Sequence, residues 1–264
     1  MADGTDGRVN GVLGRTHALS GAVAGAAAGM AMTHLAPGGT LAGAAAGLGL
    51  APLTPAGVAV ASVLTAGAAV LPDIDHPDAT IARSFGLLTR AFAWLVEHLS
   101  GGHRHGTHSL VGVAAFTAAA YAAVLYRHTL PGKIALGLLL TLVIAAALRA
   151  LKIGGHAADL LAVAGAAGVI WSGFGINSLT WAVAVGAATH LIGDMLTDEG
   201  VPLAWPLSRR HIRLLPEPLA FTTGTRPERW LVAPLLLVAL AWLAFLAAGG
   251  PHLLTRGRLP SAHA

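Results

Sequence analysis

An all-α fold, a polytopic membrane bundle of about seven helices with polar ligand-type residues gathered at one rim, is what this sequence predicts. Three observations carry it. Hydrophobic residues make up 55% of the 264 positions and charged residues only 11%, with a mean hydropathy of +0.69, whereas soluble domains carry roughly 25% charged residues. Apolar runs long enough, at ~1.5 Å per residue, to approach a ~30 Å hydrocarbon core recur along the chain between polar breaks. The few His and Asp residues cluster where apolar segments meet polar ones, and such groups are costly in lipid unless they share a purpose.

Cysteine is absent, which excludes disulfides and thiolate metal sites and leaves His, Asp, Glu or backbone oxygen as the available ligands. The pI near 10.3 and formal charge of +4 are read through membrane topology, and no nucleic-acid partner is expected.

The chain divides into a polar N-terminal tail (1–16), a membrane-embedded helical domain (17–249) and a short basic tail (250–264). The opening stretch MADGTDGRVNGVLGRT lacks a basic region followed by a short apolar core and cleavage site, so the first apolar helix is expected to be retained. That helix runs from His17 to about Leu35. Its Gly21, Gly25 and Gly29 form a small-residue ridge for close helix packing, within the chain or between subunits. His34, near its far end, reads as an interfacial residue without chemistry.

Breaks at Pro37–Gly39 and at Pro52 and Pro55 bracket a run, 41–50, too short to span with confidence. Ala56–Leu71 then completes a second crossing and ends in LPDIDHPD. Pro72 and Pro77 stiffen this turn and hold Asp73, Asp75 and His76 within a few residues. SFGLLTRAFAWLVEHL reads as an amphipathic helix along the membrane surface, with Trp94 at headgroup level and His98 on its surface.

GGHRHGTHSL follows, placing three imidazoles, His103, His105 and His108, at the entrance of a third crossing that ends at Tyr126. A fourth crossing (Ile134–Leu148), a fifth (Ala157–Trp171) and a sixth (Leu179–His190) come next. Asp159 and His156 open the fifth at hydrogen-bonding spacing. His190 and Asp194, four apart, share one helical face. A polar loop with Arg209, Arg210, His211, Arg213 and Arg226 leads to a last span, Trp230–Ala248.

With a cytoplasmic N-terminus and seven crossings, twelve of the sixteen Lys and Arg fall on the cytoplasmic side, as the positive-inside rule requires. The same topology brings His17, the Asp73–His76 turn, His103 with His108, and the His190–Asp194 pair to that face. Four separated clusters on one side point to a shared metal site at the cytoplasmic rim. Oxygen ligands beside imidazoles suit zinc, manganese or iron. Asp75 is a candidate general base or ligand orienter, and Arg104 with Arg209, Arg210 and Arg213 are candidates to neutralise a phosphate.

The motifs LPDIDHP, HRHGTHSL and THLIGDMLTDEGVPLAWP, with GRTHALSG before them and RRHIRL after, resemble the YdjM-type family of membrane-bound metal-dependent hydrolases. The resemblance covers most of residues 14–216. Where the family motif reads HRGxTHS, His103, Arg104, Thr107, His108 and Ser109 match, and His105 stands where a Gly is usual. The family is similar in turn to the zinc-dependent phospholipase C and single-strand nuclease superfamily, which implies phosphoester hydrolysis with one to three clustered zinc ions. It implies His17, Asp73, His103, His108, His190 and Asp194 as metal ligands, with Asp75 and His76 as ligands or their supports. The expected function is therefore a hydrolase of the cell inner membrane that cleaves a phosphoester, a membrane phospholipid among the candidates, with its site facing the cytoplasm. The alternative is a non-catalytic metal-binding or metal-transport protein.

Overall fold

The computed structural model describes residues 6–33, 53–216 and 220–250, apart from positions 78, 80, 83, 221, 223, 224 and 226, with side chains of the first helix from residue 14 on. His34, the 37–52 segment, Arg83, Arg226 and most of the C-terminal tail lie outside the described residues.

Within them the chain is all-helical and contains no β-strand. Helix α1 spans Asp6–Thr33, so residues 6–16 continue the first helix. Helix α2 spans Pro55–Ala68 and is followed by a 3₁₀ turn, Pro72–Asp75. Then come α3 (Leu87–Ser100), α4 (Leu110–Leu125), α5 (Leu130–Ala150), α6 (Gly155–Ser172) and α7 (Leu179–Met195). The last, α8 (Ala233–Ala247), is entered through a π turn at Glu228–Val232.

Local chemistry sets these limits. Thr54 caps α2, its side chain accepting from the Gly57 N–H at 3.1 Å, and Pro55 occupies the first turn, where its missing N–H has no helical partner to lose. Ser109 and Thr129 cap α4 and α5 in the same way.

Five segments are long and apolar enough to cross a membrane: Pro55–Asp75, Leu130–Ala150, Gly155–Ser172, Ile176–Met195 and Glu228–Ala247. The other two expected crossings correspond to α1 and to α4, which at 16 residues is shorter than those five.

Helix α2 is the axis of the bundle, packing against α1, α5 and α7. Its neighbours approach where side chains vanish. A Cβ on Gly21 would sit 2.6 Å from the Thr65 carbonyl oxygen, and one on Gly25 would sit 2.6 Å from Thr65 Oγ1, so this part of the glycine ridge packs within the chain. A Cβ on Gly186 of α7 would sit 2.7 Å from the same Thr65 carbonyl oxygen, and one on Gly67 would overlap the Val143 carbonyl of α5. These contacts clamp the C-terminal half of α2, and with it the turn that carries Asp73 and Asp75. Helix α8, by contrast, packs on α1 with no part of its apolar span buried, as expected for a helix facing lipid.

Asp159 does not use His156. It pairs with Arg149, whose guanidinium also donates to the Ser84 carbonyl at 2.6 Å and so ties the loop before α3 to the end of α5.

Candidate metal centre

Four elements deliver the site: α1 brings His17, the 3₁₀ turn brings Asp73 and Asp75, the loop between α3 and α4 brings His103, Arg104 and His108, and the last turn of α7 brings His190 and Asp194. His17, Asp75, His108, His190 and Asp194 are buried, whereas the Asp73 side chain is 21% exposed and that of His103 is 37% exposed.

The centre of the cluster is a pair of imidazole nitrogens. His108 Nε2 and His190 Nε2 lie 3.2 Å apart. Asp73 Oδ1 is 3.5 Å from the first and 3.6 Å from the second, and Asp194 Oδ2 is 3.6 and 3.4 Å from them. Four ligands around a tetrahedral ion at ~2.0–2.2 Å would be separated by about 3.3–3.6 Å; the four carboxylate–imidazole separations fall in that range and the imidazole pair lies just below it.

Tautomers support the fit. His190 Nδ1 donates to the Ala69 carbonyl at 2.8 Å, which in the neutral ring leaves Nε2 as a lone pair. His108 Nδ1 lies 3.0 Å from Thr107 Oγ1, and that hydroxyl donates to Asp75 Oδ2, so a chain from imidazole to hydroxyl to carboxylate points the other nitrogen inward.

Asp194 is the sharpest signal. Neither of its carboxylate oxygens receives a hydrogen bond, although His17 Nε2 approaches Oδ1 to 3.2 Å, and the side chain is 1% exposed. Anions buried in this way are paired or bind a metal. His17 stacks on His190 with ring centres 3.9 Å apart and faces the second oxygen of Asp194. Two donor groups able to hold an ion result, His17–His190–Asp194 and Asp73–His108–His190, which share His190.

Asp75 is placed differently. His103 Nδ1 donates to its Oδ1 at 2.8 Å, the Arg104 backbone N–H donates to its Oδ2 at 3.0 Å, and Thr107 donates to the same oxygen. Its lone pairs are thus committed to orienting the histidine loop. His103 stands outside both donor groups, and the His76 ring rests edge-on against it at 4.8 Å. His105 turns its Nδ1 to the His103 carbonyl at 2.9 Å.

Arg104 holds φ +58°, a left-handed conformation that side chains rarely adopt outside functional turns. Its guanidinium pairs with Glu199 in the loop after α7. Burial alone would lower its pKa, but the charges of Asp194, Glu199 and Asp73 outweigh this and raise it. Burial likewise opposes the charge on His108, and Asp73, Asp75 and Asp194 more than compensate, raising its pKa to about 9. In the ion-free protein a proton on this ring therefore offsets the surrounding carboxylates.

Arg209, Arg210 and Arg213 are exposed in the loop after α7, where Arg213 donates to the Asp198 carbonyl at 3.3 Å. That loop returns to the site through a bridge between Val201 and Ile212 and through the Leu110 N–H, which donates to the Leu203 carbonyl at 3.0 Å.

Sequence reasoning did not assign Thr107, Glu199 or Gly193. A Cβ on Gly193 would lie 3.1 Å from His17 Cε1 and Nδ1, so the glycine within HLIGD lets that imidazole lie across α7. Its position between the two ligand-type residues was the available signal.

No curated protein and no solved structure matches the chain. A family model described as YdjM inner membrane protein matches residues 12–252, which contain every residue of the cluster. The chain, a helical membrane protein with a His and Asp cluster able to hold a metal ion, belongs to the YdjM inner membrane protein family.

Proposed function

We propose that this chain is a membrane-bound metal-dependent hydrolase that cleaves a phosphoester at the inner leaflet, with zinc as its ion and the site open to the cytoplasm. The observation that carries the reading is the buried, hydrogen-bond-free carboxylate of Asp194 facing two imidazole nitrogens 3.2 Å apart. Asp73, His190 and Asp194 sit at the ends of α2 and α7, not in the middle of those spans as in transporters, which favours an enzyme over the transport reading.

A bound divalent cation supplies Lewis acidity and makes water nucleophilic near neutral pH. The protein's part is to hold and orient. Asp73, His108, His190 and Asp194 would hold one ion, and His17 with the second oxygen of Asp194 would complete or extend the site. Asp75 fixes the histidine loop and keeps His103 in one orientation, so that the exposed imidazole can hand a proton to the leaving oxygen. Arg104, released from Glu199, would neutralise the phosphate. Arg209, Arg210 and Arg213 would contact headgroup phosphates.

The test is metal analysis of the detergent-purified protein, followed by turnover of bis(p-nitrophenyl) phosphate and of phosphatidylglycerol vesicles with and without added zinc. Metal-dependent turnover of either phosphoester is expected. Stoichiometric metal without turnover would favour the binding or transport reading, and a protein that takes up no divalent ion would end both.

A further inference from the structure

We infer that α3 lies in the interfacial layer of the membrane and that its apolar face guides a phosphoester with acyl chains into the site from the leaflet, making the substrate a lipid. This rests on the proposed hydrolase activity. Helix α3 has 14 residues, about 21 Å at ~1.5 Å per residue and too short to cross the ~30 Å hydrocarbon core. Leu88, Phe92, Leu95 and Leu99 recur at four- and three-residue spacing and form an outward stripe, with Leu88 73% and Leu99 74% exposed, while Ala93 and Ser100 are buried. Trp94 packs on His98 with ring centres 4.0 Å apart, an amphipathic pair suited to headgroup depth.

The helix is joined to the chemistry in two places. It packs on the 3₁₀ turn that carries Asp73 and Asp75. Its C-terminus is stitched to the histidine loop, with the Gly102 N–H donating to the Glu97 carbonyl at 2.8 Å and the Gly106 N–H donating to the Ser100 carbonyl at 2.9 Å. The partly exposed members of the cluster, Asp73 and His103, belong to these two segments, so the site opens on the side where α3 lies.

A leaflet is the occupant the surroundings favour. Leu110 and Val111, at the start of the next helix α4, are exposed as well. The loop that also bears the exposed Arg209, Arg210 and Arg213 reaches the end of α3, where Trp205 lies 3.5 Å from where a Cβ on Gly101 would stand. An apolar stripe whose end meets an arginine-bearing loop matches acyl chains beneath anionic headgroups.

Because the chain has no cysteine, Leu88→Cys or Leu95→Cys takes a single fluorophore cleanly. In phosphatidylglycerol and phosphatidylcholine nanodiscs, spin-labelled lipid should quench these probes and aqueous iodide should not. The double variant Leu88→Glu, Leu95→Glu should lower the ratio of vesicle-lipid turnover to bis(p-nitrophenyl) phosphate turnover by about tenfold or more, the order expected when two leucines that contact acyl chains become charged. Quenching by iodide alone, cross-linking of the cysteines between two copies, or an unchanged turnover ratio would each overturn the inference. Loss of turnover on both substrates in the native protein would remove the hydrolase reading and the lipid substrate with it, a failure that the quenching data distinguish from a misplaced helix.

Discussion

Replacing Asp194 with Asn keeps the volume of the side chain and removes one negative charge, so any effect reports on charge and ligation and not on a cavity. Removing a partner that only supports a metal ligand typically weakens the ion by about 10–100-fold. Asp194 faces His108 and His190 with one oxygen and His17 with the other, so its loss should reach at least about 100-fold. At an ion concentration near 100 Kd of the native protein, binding stabilises by about 2.7 kcal/mol. A hundredfold weaker variant would retain only about 0.4 kcal/mol at the same concentration. At about 2–4 °C per kcal/mol for a chain of this size, the zinc-dependent rise in Tm should shrink by about 5–9 °C. The assay is thermal unfolding in detergent with and without zinc, run beside elemental analysis. An Asp194→Asn protein that holds as much ion as the native chain and shows the same rise would refute the assignment.

Thr107→Val breaks the hydroxyl link between His108 and Asp75 and should weaken the ion by about 10–100-fold while leaving it bound at saturation, as a zinc titration would show. Gly67→Val would drive a side chain into the Val143 carbonyl, costing about 3 kcal/mol and lowering Tm whether or not zinc is present. Arg104→Gly and Arg104→Ala lose the same charge, but only the glycine relieves a left-handed side-chain position, so its Tm should exceed that of the alanine variant by about 1 kcal/mol equivalent while phosphoester turnover falls in both; an equal or lower Tm would count against backbone strain there. Because His108 keeps its proton to about 9 in the ion-free protein, zinc must displace that proton. Affinity should therefore fall as pH drops below about 9, with proton release on binding measurable by calorimetry in buffers of different ionisation heat.

Composition and periodicity made the helices legible, because every expected crossing within the described residues is occupied by a helix. The first span's ridge was legible as a packing face, but its partner was not. Gly21 and Gly25 meet Thr65, and nothing local to either segment says so. Ligand-type residues were legible for a related reason: His and Asp at the ends of apolar runs are rare enough to stand out. Their division of labour was not. Asp73 and Asp75 stand two residues apart in one turn, yet Asp73 faces the two Nε2 atoms while Asp75 receives hydrogen bonds from His103, Arg104 and Thr107. The 3₁₀ geometry turns their side chains in different directions, and which direction meets the imidazoles depends on how α2, α7 and the histidine loop pack together. Asp159 teaches the same lesson, since its sequence neighbour His156 loses to Arg149, a residue of the preceding helix.

The arrangement also explains why such a cluster persists in an apolar bundle. Desolvating a carboxylate costs several kcal/mol, and hydrogen bonds ordinarily offset this when the group stays charged. At Asp75 they do, with three donors on two oxygens. At Asp194, equally buried, they do not. In the ion-free bundle only the facing imidazoles offset that charge, whereas a bound cation would satisfy both oxygens directly. The facing Nε2 atoms of His108 and His190 also call for positive charge, because two lone pairs 3.2 Å apart repel unless a proton or a cation lies between them. One divalent ion answers both demands at once, and Asp194→Leu measured beside Asp75→Leu separates the two roles. The first should abolish ion uptake. The second should lower Tm under every condition, because it strands the donors of the histidine loop.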